Sequence, residues 1–131
     1  MFSIEQIRAA HANMKSGADF PDYVQELIQL GVTSYDYYVS DGHAVYFGKN
    51  EFSLTSEAQY SLLSIAVDSD KHKLEQALRI HQQGQTDYLT FCSQAAEAGV
   101  GKWTVDMEKM TCEYFDIQGD LLVKEKIPVK G

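Results

Sequence analysis

Apolar and polar positions change period along this chain, and the changes mark its elements. Ser3 stands as an N-cap before a stripe of Ile4, Ile7, His11 and Met14 at helical spacing, with Gly17 closing the run. Asp19 and Pro21 suit the first turn of a second helix, whose apolar stripe is Val24, Leu27 and Ile28 and whose end is Gly31. Alternation then takes over. Thr33 to Val39 reads as a strand with Tyr35, Tyr37 and Val39 on one face and Ser34, Asp36, Tyr38 and Ser40 on the other. Asp41-Gly42 supplies a hairpin turn, since glycine takes positive φ without strain, into a second strand at Ala44 to Phe47. Gly48-Lys49-Asn50 turns again into a short strand at Phe52 to Leu54. The apolar segment Tyr60 to Val67 fits a buried strand or a helical stretch, and the strand is preferred.

The same order then begins again. Asp68 or Ser69 caps a helix with Leu74, Ala77, Leu78 and His81 on one stripe, ended by Gly84, and Thr86 caps another that runs to Gly99. Strands follow at Lys102 to Met107, Thr111 to Phe115 and Leu121 to Val123, with Gln118-Gly119-Asp120 between the last two. Residues recur along with elements. Ile4-Glu5-Gln6 and His11 match Leu74-Glu75-Gln76 and His81, and Asp22-Tyr23 matches Asp87-Tyr88. Gly31-Val32, Tyr35 and Tyr46-Phe47 match Gly99-Val100, Trp103 and Tyr114-Phe115 without a gap, although length adjustments are needed to join these blocks. The pattern predicts a single α+β domain over residues 1–131, built of internally duplicated helix-helix-strand-strand-strand units at approximately 3–67 and 69–127. An antiparallel sheet from both halves is covered by the four helices.

Composition narrows the classes of partner. Hydrophobic residues at 44% and charged residues at 23% are ordinary for a globular chain of 131 residues. Eleven Lys and Arg against 19 Asp and Glu leave a net charge of -8 without long charge blocks. Such a surface repels phosphate, which argues against direct nucleic-acid binding and against anionic membranes. No run approaches the ~18 apolar residues that span a bilayer, and Met1-Phe2-Ser3-Ile4 lacks the basic lead and apolar core of a leader, so cytoplasmic residence is expected. Cys92 and Cys112 form no CxxC pair and read as reduced, packed thiols, with pairing left open. The chain contains no GxGxxG, Walker loop, GxSxG, HExxH or EF-hand loop, so no cofactor, metal or catalytic residue is assigned.

Several residues nonetheless stand where a site could form. Asp41-Gly42-His43 brings a carboxylate and an imidazole to a hairpin tip, where His43 suits a general base or a ligand, although turn geometry alone also explains the triplet. His11 and His81 occupy matching places on two helices, which allows a shared pocket; a histidine near a helix end also packs for structural reasons. The polar stretch Gln82 to Tyr88 offers Gln85 and Asp87 to a ligand, while capping accounts for Gly84, Thr86 and Asp87 equally well. Eight tyrosines and one tryptophan are the most suggestive feature, because Tyr35, Tyr37, Tyr38, Tyr46, Trp103 and Tyr114 concentrate on predicted strands. A sheet with rings on both faces is either covered twice or presents a binding surface, and Asp36 and Asp106 would edge it. The candidate ligand-binding set is therefore Asp41, His43, His81, Gln85, Asp87, Trp103 and Asp106. Cys92 as a nucleophile competes with the simpler packed thiol.

Three stretches carry a resemblance: Tyr35 to His43, His81-Gln82-Gln83-Gly84-Gln85-Thr86-Asp87-Tyr88, and Ala98 to Asp106. Over nearly its whole length the chain resembles the uncharacterised YdfO-like family of bacterial and prophage proteins, also labelled phage envelope protein-like. The resemblance implies an accessory role and carries no activity or functional residue with it. Together these readings favour a non-enzymatic accessory or regulatory module that binds a protein or small ligand through an aromatic, acidic-edged surface, and a homodimer is compatible with it. The alternative is a small hydrolase-like enzyme using His43 and His81 with Asp41 or Asp87 between the halves. A third reading, an acidic mimic of nucleic acid, would need carboxylates in a regular row.

Overall fold

The computed structural model describes residues 2–14 and 17–128. Helix α1 (Ile4–Ala12) begins at a capping box: Ser3 Oγ accepts from the Gln6 N–H at 3.2 Å, and Gln6 Oε1 accepts from the Ser3 N–H at 2.9 Å. It ends sooner than its stripe predicts. The Asn13 N–H closes it on Ala10 O, and Gly17 instead opens a 3-10 turn, Gly17–Asp19, leading into α2 (Phe20–Leu30). In α2 Val24 and Leu27 are fully buried while Ile28 sits at the stripe's edge, and Gly31 ends the helix at φ 103, a left-handed cap open to glycine above other residues.

Three strands follow: β1 (Val32–Tyr38), β2 (Ala44–Gly48) and the short β3 (Ser53–Thr55). Then come α3 (Lys71–Gln82), α4 (Tyr88–Glu97), β4 (Val100–Asp106), β5 (Thr111–Asp116) and β6 (Leu121–Lys126), the last running further than its apolar residues suggest. Two caps differ from the sequence reading. Asp70, not Asp68 or Ser69, caps α3 by accepting from the Lys73 N–H at 3.1 Å, and Asp87, not Thr86, caps α4 by accepting from the Thr90 N–H at 2.7 Å. Thr86 has a different partner, His81 Nδ1, 3.1 Å from its hydroxyl.

Among the described residues, six strands form one antiparallel sheet in the order β3-β2-β1-β4-β5-β6, with the four helices on one face, a single-domain α+β fold. The helix–helix–strand–strand–strand order occurs twice. β1 and β4 carry the same alternation of buried and half-buried positions, and each is bulged at the matching place, Val32/Ser34 and Val100/Lys102. They pair at the centre of the sheet, in a register symmetric about Asp36↔Thr104: Tyr35 faces Val105 on one side and Tyr37 faces Trp103 on the other. A hydrogen bond marks that midpoint, the Thr104 hydroxyl donating to Asp36 Oδ1 at 2.6 Å.

The helix-facing side of the sheet, with Tyr35, Tyr37, Trp103, Val105 and Tyr114, joins Leu27, Leu74, Phe91 and Cys92 in one core drawn from both halves. Each fully buried aliphatic in it is worth ~1.5–3 kcal/mol of transfer free energy. The segment Tyr60 to Val67 is neither strand nor helix. Leu62 and Val67 are largely exposed, and the backbone N–H groups bond to scattered acceptors, Leu63 to Ser40 O and Ala66 to Ala96 O. This strap crosses from the β1–β2 turn to the end of α4; its apolar composition reflects a few anchors, Tyr60, Leu63 and Ile65, packed against the core.

Candidate functional site

Helices and sheet do not close fully on one another. Between them lies a cavity of about 730 Å³, a size that suits a drug-sized ligand. Its floor comes from alternation in the strands, which sends Tyr35 and Tyr37 of β1, Tyr46 of β2, Trp103 of β4 and Tyr114 of β5 to the helix side. Its walls come from the helical stripes: His11 of α1, Tyr23 of α2, His81 of α3, and Tyr88 and Phe91 of α4. Four of the residue pairs that match between the halves, His11 with His81, Tyr23 with Tyr88, Tyr35 with Trp103 and Tyr46 with Tyr114, line this one space.

The rings contact one another in the offset and edge-on ways their quadrupoles favour. Tyr37 and Trp103 stack with centroids 4.4 Å apart at 15°, and Tyr88 meets both edge-on, 5.6 Å from Tyr37 and 6.4 Å from Trp103. His81 stacks on Phe91 at 4.5 Å, and the His11 ring lies edge-on to Tyr23 and Tyr88 at 5.5 and 5.3 Å. Burial lowers the pKa of both histidines, and for His81 the Thr86 carbonyl and Asp87 oppose the shift only in part. A neutral His81 that donates its Nδ1–H to Thr86 O, 3.2 Å away, leaves Nε2 as an acceptor.

Phenol hydroxyls add further polar atoms to the lining. Tyr60 of the strap donates to Val39 O at 2.7 Å and accepts from the Tyr37 hydroxyl at 3.3 Å, and that hydroxyl also lies 3.5 Å from Cys92 Sγ. Desolvation raises the pKa of Tyr37, Tyr60 and Tyr88. It also raises the Cys92 thiol and pushes Cys112 up to about 12, so both free, buried cysteines stay protonated and are poor nucleophiles at neutral pH.

Of the seven candidate ligand-binding residues, His81 and Trp103 line the cavity, and Asp41, His43, Gln85, Asp87 and Asp106 do not. Asp41 and His43 close on each other at the hairpin: Asp41 Oδ1 accepts from the His43 backbone N–H at 3.0 Å and meets His43 Nδ1 at 2.6 Å. The backbone N–H contributes most to holding the Asp41 carboxyl below its usual range, and the imidazole lies flat on Tyr38, 4.4 Å away. Asp87 caps α4, and its carboxyl is lowered chiefly by Thr90. Asp106 accepts from the backbone N–H groups of Glu108 and Lys109 at 2.9 and 3.0 Å, and Gln85 is exposed. Tyr23, Tyr60 and Tyr88 are wall residues that strand reasoning missed. The match of Asp22-Tyr23 to Asp87-Tyr88 was the one signal that pointed at two of them. Among the described residues no group of three or more His, Cys, Asp or Glu side chains is placed to hold a metal ion, and no helix is long and apolar enough to cross a membrane.

Fold and site together define a six-stranded, one-face-covered α+β protein with an aromatic cavity between its layers. The chain belongs to the family described as "Protein of unknown function (DUF1398)", whose profile matches residues 8–126. It is similar to "Uncharacterized protein YcgX" of Escherichia coli (strain K12), 24% identical over 109 residues covering 83% of this chain and 81% of that one. It is also similar to "Uncharacterized protein Rv2012" of Mycobacterium tuberculosis and "Uncharacterized protein Mb2035" of Mycobacterium bovis, each 27% identical over 113 residues covering 84% of this chain and 68% of the relative. The family is thus a bacterial one.

Proposed function

We propose that this protein is a small accessory or regulatory protein whose work is to bind a small molecule in the cavity between its helices and its sheet. The observation that carries the proposal is the cavity itself: about 730 Å³ of space walled by tyrosines, Trp103 and two imidazoles where a core of this size would ordinarily be filled. The repeated element order and the matched wall residues support reading the halves as an internal duplication that built one seat from two copies. The YdfO-like resemblance suits an accessory role of this kind, and cytoplasmic residence fits the composition.

Binding is preferred over turnover because, although His81 lines the cavity, the other groups an enzyme would use with it are engaged elsewhere. His43 and Asp41 satisfy each other outside the cavity, Asp87 caps α4, and both thiols are held protonated. The test uses the chain's one tryptophan, which lies in the cavity floor. Titration with N-phenylnaphthylamine, a fluorophore that brightens in apolar surroundings, should quench Trp103 emission and saturate at one probe per chain. Ala12→Phe should weaken that binding, since Ala12 is exposed at the end of α1 and its side lines the cavity. A linear, unsaturable response, or one that Ala12→Phe leaves unchanged, would overturn the proposal.

A further inference from the structure

Resting on that reading, we infer that the cavity selects an uncharged aromatic molecule and rejects ligands that carry a full charge of either sign. The floor includes a pair of nearly parallel rings, Tyr37 on Trp103, and Tyr88 of the wall stands edge-on to both. A flat ligand in this space is surrounded by aromatic side chains on which it can stack or lie edge-on, the arrangements in which aromatic groups attract one another. The uncharged polar side chains of the lining are phenols, imidazoles, the Ser56 hydroxyl and the amides of Gln59 and Gln82, which donate or accept hydrogen bonds without charge.

The charged side chains among the lining are Arg8, Glu125 and Lys126. Arg8 and Lys126 are exposed and belong to the rim, and the half-buried Glu125, on the edge strand β6, is engaged by Gln82, accepting from its Nε2 at 2.9 Å. A ligand charge inside would lack an ionic partner. Cation–π attraction to these rings offers a buried cation about 2 kcal/mol. Stripping an ion of its water costs several kcal/mol, so the ring faces do not compensate. The protein's own groups agree in both signs: burial drives the imidazoles away from the cation and the Cys112 thiol and the tyrosines away from the anion. An uncharged ring system avoids both penalties.

The experiment compares three probes of one skeleton, each titrated into the full chain with Trp103 quenching as the signal. They are neutral N-phenylnaphthylamine, its sulfonate (anilinonaphthalene sulfonate) and a trimethylammonium derivative. The expected result is a Kd for the neutral probe at least about tenfold below that of either charged one, with little dependence on salt. A charged probe that binds as tightly as the neutral one, and is weakened by Ala12→Phe, would sink the charge selectivity and leave the binding cavity standing. Failure of all three to quench Trp103 saturably would remove the cavity reading and the selectivity together.

Discussion

Tyr88 stands between two imidazoles, His11 at 5.3 Å and His81 at 6.5 Å, and their neutral state matters to the fold as well as to any ligand. Both histidines have their pKa lowered by burial. The unfolded chain therefore takes up protons at higher pH than the native one. Stability falls as pH drops through the unfolded value of about 6.5 and keeps falling until the lower native values are passed. The double variant His11→Gln/His81→Gln should flatten this slope; urea midpoints at about pH 7.5 and 5.5 measure it, and an undiminished slope in the variant would assign the effect elsewhere. His11 keeps much of its surface open, so solvent screens its share. At this scale the sequence was legible in part. His11 and His81 line one space, which their matched places on two helices allow, and Trp103 joins them from the sheet, because periodicity states which face a residue occupies. Asp41 and His43 come together for a local reason, the turn through Gly42, and that proximity says nothing about which side of the sheet the pair will occupy.

Elements depend on what their ends meet. Gly99 leaves α4 at φ 89, and a Cβ there would lie 2.7 Å from Ser69 Cα, where the strap passes. Gly119 turns at φ 91 with nothing within 4 Å of such a Cβ. Both Gly→Ala changes incur left-handed backbone strain of roughly 1–2 kcal/mol. Gly99→Ala should lose about 1–3 kcal/mol more, because Ser69 backbone must shift. Denaturant midpoints of the two variants check this, and equal losses would mean that the strap yields freely. The strap also explains what pattern reading could not supply. Strands and helices announce themselves by periods of two and about 3.6 residues. The segment Tyr60 to Val67 is held by individual hydrogen bonds to Ser40, Asp41 and Ala96 carbonyls, which leave no period in the sequence. The caps at Asp70 and Asp87 were obscured similarly, since Asp68, Ser69 and Thr86 offer comparable oxygens a residue or two away.

The molecule as a whole is joined at β1 and β4, whose pairing makes one sheet of two three-stranded halves. Each half alone would expose a long central strand as an edge and open the cavity along one side. Unfolding should therefore be a single event: urea transitions followed by Trp103 emission, which reports the cavity, and by far-ultraviolet circular dichroism, which reports the helices, should coincide. Separated midpoints would show halves that melt on their own. The same arrangement has an optical consequence. With Tyr37, Tyr88 and Tyr114 all within ring contact of the one indole, light absorbed by these phenols should pass to Trp103 before they emit, so native emission should be dominated by the indole. Phenol emission regained on denaturation would report how far that antenna had come apart.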